Sequence, residues 1–383
     1  MTLENHTRSK LAAAIKLTLI FSLISVPASL PAEDWTMGRA NEKGTGATSE
    51  ELPKELELLW DFEIEGLGFE AGPTIADGKV FANDYDGRLV VLDLATGEEI
   101  WRKTYELGFV STPSYKDGML YCADEGGVLR AIEVESGEEK WKYDSQGEVA
   151  GSPVFYEESV VFTSQSGSLY RLDLKSGKEV WKYTTDEPIL CGASLASNLT
   201  FLGGCDEQLH LVDLKTGKRI GEPLNIGATQ STPCATENSV LIPSHGGEIY
   251  RFELAEDGQG LVNKWTFRDR KLASEFRNSI AIHDGIAIAS CGSKRIFALD
   301  METGEVKWDN VIRRAISASP IIAGQSAIAA GTDGNIYRYD LKTGEELWQF
   351  QVKGSFLGSP AVADGKLVLG NDRGTIFCFG EKK

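Results

Sequence analysis

One segment of about ten residues returns along this chain at a fixed interval, and that repeat constrains the fold more than any other feature. Residues 92–101 read LDLATGEEIW, and residues 172–181 read LDLKSGKEVW. Consecutive copies are 40 residues apart, except for one interval of 47, and we assign the extra residues to the sixth copy. A period of about 40 residues is typical of a four-stranded blade of a β-propeller. The acidic residues that mark the copies are Asp93, Glu133, Asp173, Asp213, Glu253, Asp300 and Asp340.

Each period divides into four short strands. Between residues 151 and 183, the runs 152–156, 159–164, 168–174 and 178–183 are rich in β-branched and aromatic residues. Turn-forming glycine, serine and aspartate separate these runs. No segment longer than about ten residues has a helical period. The sequence therefore predicts an all-β fold.

The number of blades follows from counting strands. The first strand of each period begins with a small residue that is usually followed by proline, as in Ser152-Pro153. This first-strand signature occurs eight times, but only seven copies are followed by a complete blade. The eighth blade stops near residue 380, and a matching fourth strand occurs at residues 58–64, before the first blade. We therefore predict an eight-bladed β-propeller in which the N-terminal strand pairs with residues 374–380 and completes the last blade. Such closure removes two exposed sheet edges.

The spacing of glycine and tryptophan resembles the tryptophan-docking motif of the pyrroloquinoline-quinone (PQQ)-like β-propeller repeat family. Gly97 is followed four residues later by Trp101, and other copies keep this spacing. The family includes PQQ-dependent dehydrogenases and the non-enzymatic BamB-like secreted propellers. The resemblance covers residues 58–380, and the segment with Trp35 and Gly38-Arg39 also resembles the start of secreted members. It implies that an indole packs between adjacent blades at Trp60, Trp101, Trp141, Trp181, Trp265, Trp308 and Trp348.

The chain divides into three predicted regions. Residues 1–28 combine Arg8, Lys10 and Lys16 with an apolar run at 17–26 and small residues at 26–28, which is typical of a cleaved signal peptide. A membrane anchor is the alternative, but ten apolar residues are too few to cross a bilayer. Residues 29–57 are predicted to form a polar arm, extended or partly mobile, from which Trp35 contacts the ring at an unspecified place. Residues 58–383 form the propeller, and we expect a periplasmic or secreted protein.

Net charge narrows the class of partner. The formal charge is −18 and the isoelectric point is near 4.8. A protein this acidic is repelled by nucleic acid and by anionic membranes. We expect no nucleic-acid partner, no membrane-spanning segment and a monomeric propeller.

The fold alone does not assign an enzyme activity. Quinone dehydrogenases of the family have an adjacent cysteine pair and a calcium site, whereas no two of the six cysteines here are adjacent. His210, His245 and His283 lack metal-ligand spacing. Asp84-Tyr85-Asp86-Gly87 is better interpreted as a hairpin turn than as a calcium loop. We expect no catalytic, cofactor-binding or metal-binding residues, and PQQ as a cofactor is disfavoured.

Two interpretations of the cysteines remain open. Cys191 and Cys205 flank one hairpin of the fourth blade, and an exported chain permits a disulfide between them. The alternative is that all six cysteines are small, unbridged strand residues.

A basic cluster stands out against the acidic background. In an antiparallel propeller, the links between blades and the turns between second and third strands share one face. Near blades six and seven, these links carry a candidate site for an anion or an acidic partner, since arginine suits carboxylates. The alternative is an exposed cluster paired with neighbouring carboxylates. Its members are Arg268, Arg270, Lys271, Arg277, Arg313 and Arg314.

These observations favour a non-catalytic, exported scaffold that binds an envelope protein or peptide. The BamB-like resemblance implies a role in outer-membrane protein assembly. No cysteine precedes Cys122, so no lipid attachment is expected after the signal. The alternative is a PQQ-dependent dehydrogenase-like enzyme, or a small-molecule sensor, that uses the central funnel.

Overall fold

The structure is a computed structural model that describes residues 33–269 and 275–382. These residues form eight sheets, each with four antiparallel strands, and one two-residue strand of the arm extends one sheet to five. The inner strands of neighbouring blades contact one another around a central axis. The predicted eight-bladed β-propeller is confirmed. The predicted signal peptide, residues 1–28, lies outside the described residues.

Within blades one to four, the strands run from the inner to the outer position in chain order. Blade one contains Thr74–Ala76, Lys79–Asn83, Arg88–Asp93 and Glu99–Thr104; blade two contains Ser114–Lys116, Met119–Ala123, Val128–Glu133 and Glu139–Asp144. Blade three contains Val154–Tyr156, Ser159–Ser164, Ser168–Asp173 and Glu179–Thr184; blade four contains Ser194–Ala196, Leu199–Gly203, Gln208–Asp213 and Leu224–Asn225.

Blades five to seven follow the same order, and the last blade takes its outer strand from the N-terminal side. Blade five contains Cys234–Ala235, Ser239–Pro243, Glu248–Leu254 and Leu261–Arg268; blade six contains Ala281–His283, Ile286–Cys291, Arg295–Asp300 and Val306–Val311. Blade seven contains Ile321–Ala323, Ser326–Ala330, Asn335–Asp340 and Glu346–Gln351; blade eight contains Ala361–Ala363, Lys366–Gly370, Thr375–Gly380 and Glu57–Glu63.

The burial of each strand explains its place in the blade. The second strands are almost wholly buried, as in Ser159–Ser164, because both of their faces pack against neighbouring blades. The outer strands alternate between exposed and half-buried residues, as in Glu179–Thr184, because one face meets solvent. The apolar side chains consequently fill the spaces between blades as a series of clusters around the ring.

Ring closure occurs where the sequence predicts it. Glu57–Glu63 pairs antiparallel with Thr375–Gly380, with Asp61 opposite Phe377 and Glu63 opposite Thr375. A bulge between Leu58 and Trp60 interrupts the register, at the same position as in other outer strands. Strands from both ends of the propeller domain thus belong to the same sheet, and the predicted ring closure is confirmed.

The arm before the propeller lies across the inner strands rather than extending away from the ring. Trp35 is 1% exposed and exchanges two 2.9 Å backbone hydrogen bonds with Ile75 of blade one. The chain then contacts each following blade in turn, and Ala47–Thr48 adds a parallel strand to Ile321–Ala323 of blade seven. The arm therefore occupies part of the central channel of the ring. Carbonyl groups along the arm accept hydrogen bonds from the backbone N–H groups of Tyr115, Leu195, Ala235, Ile282 and Ile322. Gly38 lies against Ser152, and the Glu50 carboxylate accepts a hydrogen bond from the N–H of Gly365.

The arm leaves two distinct faces. We call the face with the links between blades and the turns between second and third strands the link face, and the opposite one the turn face. Arm side chains such as Glu50 and Glu51 lie beside the inner turns of the turn face. The axis is consequently open only towards the links in the part of the molecule that the structure describes. No helix in that part is long and apolar enough to cross a membrane.

Candidate functional site

Seven indoles join neighbouring blades by one repeated hydrogen bond. Each Nε1 donates to a backbone carbonyl of the next blade over 2.8–3.1 Å, for example from Trp308 to Leu341. Several indoles also lie against a turn glycine, and a Cβ at Gly344 would come within 2.6 Å of the Trp308 ring. These side chains have a structural role, because they connect neighbouring blades. They are Trp60, Trp101, Trp141, Trp181, Trp265, Trp308 and Trp348.

One interface between blades lacks this indole. Gly221 of blade four stands at the tryptophan position, and the last turn of blade five lies against it through Gln259 and Gly260. This turn is longer than its counterparts, so part of the 47-residue interval belongs to blade five. The assignment of all the extra residues to blade six is therefore only partly correct, and the longer turn of blade five occupies the space that the missing indole leaves.

A funnel surrounds the axis on the link face. Its volume is about 160 Å³, the ends of the blade links form its wall, and Gly38 and Arg39 of the arm form its floor. One residue of each blade contributes at the same position, two residues before the first residue of the inner strand. All eight belong to the first-strand signature of the sequence, but their common orientation towards the axis was not predicted. These ring positions are Gly72, Thr112, Ser152, Gly192, Thr232, Ser279, Ser319 and Ser359.

Hydroxyl groups of this ring accept hydrogen bonds from their neighbours. The backbone N–H of Gly192 donates to Thr232 Oγ1 over 3.1 Å, that of Thr232 to Ser279 Oγ over 3.0 Å, and that of Ser279 to Ser319 Oγ over 3.0 Å. Gly72 donates to Thr112 Oγ1 in the same way, over 3.1 Å. A hydroxyl both accepts and donates, and among the described residues these four have no acceptor for their own proton. The funnel wall therefore offers free O–H donors.

Arg39 places a positive charge at the base of the funnel. The side chain is 8% exposed, and its Nη2 atom donates to the carbonyls of Ile280 and Pro320, each over 3.0 Å. The Nε and Nη1 atoms are buried and have no hydrogen-bond partner in the described part of the chain. Gly46 closes over the guanidinium from behind, since a Cβ there would overlap it. Burial lowers the pKa of Arg39 to about 10, so the group is charged at neutral pH.

The structure places Arg268 at the end of the outer strand of blade five. Arg277, Arg313 and Arg314 lie on the next two links, and the described members of the basic cluster are in two different states. Arg268 pairs with Glu248 at 3.0 Å and Arg277 pairs with Glu275 at 2.6 Å. Arg313 and Arg314 are exposed, and within residues 33–269 and 275–382 neither makes an ion pair. Arg270 and Lys271 lie outside the described residues. The cluster is therefore partly neutralised, and its free charge is concentrated before blade seven.

An apolar group on the same face was not predicted. Leu67, Tyr85 and Leu107 are 60%, 37% and 42% exposed and surround one turn of blade one. The Leu67 N–H donates to the carboxylate of Asp86 in that turn at 2.7 Å, and Gly87 of the turn lies against the backbone of Leu107. We call these three side chains the blade-one patch. Sequence periodicity could not identify it, because isolated apolar residues in links resemble ordinary turn residues.

Carboxylates border the blade-one patch. The Glu125 carboxylate raises the pKa of Tyr85, and burial followed by the charges of Glu125 and Glu70 raises the pKa of Glu148. These groups therefore influence one another across neighbouring links. The link face is acidic and apolar at blades one to three, and basic at blades six and seven.

The structure contains no Cys191–Cys205 disulfide, and all six cysteines are free thiols. The Cys191 Sγ atom is buried and donates to the Gly203 carbonyl at 3.1 Å, whereas Cys205 is exposed in a turn. This arrangement agrees with the interpretation that the cysteines are unbridged strand residues, and the Cys191–Cys205 disulfide stays an untested prediction. Burial raises the pKa of Cys191 to about 12 and keeps its thiol protonated.

Two of the remaining polar candidates, His210 and Asp84, have structural partners. Both ring nitrogens of His210 are bonded, one to Asp206 at 2.7 Å and the other to the Tyr183 hydroxyl at 2.9 Å. Asp84 accepts from the backbone of its own turn and pairs with Arg88 at 2.6 Å, which confirms the hairpin interpretation. No group of three or more potential metal ligands occurs in the described residues.

Comparison with known proteins agrees with this architecture. The model of the family described as Outer membrane protein assembly factor BamB matches residues 54–256 and 187–383. The chain belongs to this family. No curated protein sequence matches the chain.

Solved structures similar to this BamB-family propeller include a BamB, a quinohemoprotein dehydrogenase and a designed protein. BamB from Moraxella catarrhalis is 16% identical with a TM-score of 0.70, covering 85% of this chain and all of that one. Quinohemoprotein alcohol dehydrogenase from Comamonas testosteroni is 13% identical with a TM-score of 0.76, covering 92% of this chain and 81% of that one. The designed Ika8 protein is 15% identical with a TM-score of 0.75, covering 85% and 100%. Similarity at this level establishes the fold alone.

The residues around the axis do not fit a quinone. Pockets for drug-sized ligands measure about 300–1,000 Å³, whereas the funnel measures about 160 Å³ because Gly38 and Arg39 fill its base. No carboxylate cluster that suits calcium adjoins it among the described residues. We therefore derive no chemistry through such a group.

Proposed function

We propose that this chain is a non-catalytic, exported scaffold that binds a protein or peptide of the bacterial envelope on its link face, and that it holds no PQQ. The observation that carries the proposal is the blade-one patch. An exposed tyrosine between two exposed leucines, bordered by carboxylates, is the composition of a protein interface. The small funnel and the structural roles of His210 and Asp84 support a function without catalysis.

The distribution of charge on the link face indicates how a partner would be oriented. Glu70, Glu125 and Glu148 lie at one side, and Arg313 and Arg314 lie at the other. A partner with a basic segment over the first group and an acidic segment over the second would be complementary, and complementary charge accelerates encounter. The ring does not have to reorganise, so association has a small ordering cost.

The envelope location and the link to assembly of outer-membrane proteins are part of the proposal. They are supported by the family to which the chain belongs and by the apolar run at residues 17–26. The expected partner is therefore a protein of the periplasm or the outer membrane.

Crosslinking with mass spectrometry in envelope extracts tests the proposal. We expect the double variant Leu67→Ser/Leu107→Ser to capture its main partner at least about tenfold less, because loss of two central apolar contacts costs more than 1.4 kcal/mol. Ile100→Ser/Leu347→Ser is the matched control, since these side chains are 47% and 46% exposed on outer strands. Equal capture by both double variants would show that the patch is not the interface.

A further inference from the structure

Arg39 is a buried cation, and it has no counterion in the part of the chain that the structure describes. Two of its three guanidinium nitrogens have no hydrogen-bond partner in the described residues, and its Nη2 atom is bonded only to neutral carbonyls. Removing a charge from water is costly unless the charge is paired. The ring nevertheless orients this group closely, through the two carbonyls in front and through Gly46 behind. A guanidinium that is held in one position and has no neighbouring carboxylate within the described ranges of the chain indicates a site for an anionic ligand.

The funnel above Arg39 supplies the other half of an anion site. The hydroxyls of Thr112, Thr232, Ser279 and Ser319 each accept a backbone N–H, so their own protons are available to a group on the axis. The funnel opens to the link face and has a volume of about 160 Å³. A ring of hydroxyl donors over a guanidinium is complementary to an anion in both charge and hydrogen bonding.

The charge and size of the site select the class of anion. A single guanidinium lies at its floor, and the carboxylate of Glu70 borders its mouth. This balance favours a monoanion over a doubly charged phosphate. Guanidinium groups match the planar geometry of carboxylates, and the narrow funnel admits one such group with a short aliphatic stem.

We propose that the funnel binds a single carboxylate group, which the hydroxyl ring holds above the charge of Arg39. The site goes beyond the scaffold function and does not depend on it, since Leu67 and Leu107 lie outside the funnel. A short free acid and the C-terminal carboxylate of a peptide share this chemistry. The competing occupant is water, because a second cavity of about 30 Å³ beside Arg39 has room for one molecule.

Calorimetric titration and thermal unfolding of the full chain test the site, at constant ionic strength. The probes are acetate, an N-acetylated tripeptide with a free C-terminus, and the same tripeptide amidated. We expect the free acid to bind at least tenfold more tightly than the amide and to raise Tm. Tripeptide binding without acetate binding would assign a chain terminus; binding of both would assign any small carboxylate.

Variants separate the site from non-specific effects. Arg39→Met should lower carboxylate affinity at least tenfold, while Arg102→Met, which removes an exposed arginine of an outer strand, should leave it unchanged. Ser319→Ala and Ser279→Ala, which do not alter the arm, should each weaken binding severalfold and provide the test if Arg39→Met fails to fold. Equal binding of acid and amide, or no binding of any carboxylate to the wild-type chain, would overturn the proposal and leave water beside Arg39.

Discussion

A single indole carries two interactions in this ring, and Trp308 illustrates both. Its ring is 9% exposed and covers the turn glycine Gly344 of the next blade, while its Nε1 donates to the Leu341 carbonyl at 2.9 Å. The glycine has a φ of 74° and leaves no room for a Cβ beside the indole. The paired glycine and tryptophan of the repeat are therefore one structural unit shared by two blades.

Truncation of this indole should be expensive for stability. We expect Trp308→Ala to lower the free energy of unfolding by about 3–5 kcal/mol, because it empties the space between blades six and seven. Trp308→Phe keeps most of the packing and loses the hydrogen bond, which should cost about 1–3 kcal/mol. Urea unfolding followed by intrinsic fluorescence and circular dichroism measures both. Equal loss in the two variants would show that the hydrogen bond, rather than burial, dominates.

The roles of the tryptophans could be predicted residue by residue, whereas that of Arg39 could not. Trp101 and Trp141 recur at one spacing, and a recurring residue must occupy an equivalent place in every blade. Arg39 occurs once, in a segment outside the repeat, and its burial results from contacts with Ile280 and Pro320, more than 240 positions away. No local pattern encodes a contact of that range.

At the scale of the element, the turn between the third and outer strands has the same aspartate hydrogen bonds in several blades. In blade six, Asp300 accepts hydrogen bonds from the backbone N–H groups of Glu302 and Thr303 and from the Thr303 hydroxyl. Lys307 adds an ion pair at 2.9 Å. The Lys307 hydrogen bond, followed by these turn bonds, lowers the pKa of Asp300 to about 2. Equivalent bonds lower the pKa values of Asp93, Asp173, Asp213 and Asp340.

These turns predict how stability depends on pH. A carboxyl whose pKa is lower in the folded chain contributes stability that is complete above its unfolded value, here 3.8, and is lost as pH falls towards the folded value near 2. We therefore expect Tm to decrease between about pH 4 and pH 2. Asp300→Asn should have a lower Tm at pH 7 and a shallower decrease in acid. Parallel curves for the variant and the wild-type chain would contradict this account of the turn.

At the scale of the whole molecule, the arm and the closing strand join eight similar sheets into one closed domain. Trp35 joins blade one, Ala47–Thr48 joins blade seven and Glu57–Glu63 completes blade eight, so the segment before the first blade crosses the whole ring. The repeat predicted the blades and their closure because the missing strand could be counted. It contained no information on the arm, whose contacts are with inner strands that the period treats as equivalent.

The same limit explains which parts of the candidate site were missed. The basic links were visible as charge in the sequence, but the blade-one patch depends on the approach of two links that are 40 residues apart, at Leu67 and Leu107. The positions of the hydroxyl ring were visible in the first-strand signature, as in Thr112-Pro113 and Ser319-Pro320. Their inward orientation became clear only once the inner strands surrounded an axis.

Ring closure is the claim on which both faces, the funnel and the arm depend, and an engineered disulfide tests it directly. Ile64 N–H donates to the Gly374 carbonyl at 2.9 Å, so the next pair, Glu63 and Thr375, is a non-hydrogen-bonded pair with closely spaced side chains. In a Cys205→Ser background, which removes the one exposed native thiol, we expect Glu63→Cys/Thr375→Cys to form an intramolecular disulfide and to raise Tm. Glu63→Cys/Thr184→Cys, with the second site in blade three, should keep both thiols free. Free thiols in the first variant, or a crosslink between two chains, would contradict a ring closed by its own N-terminal strand.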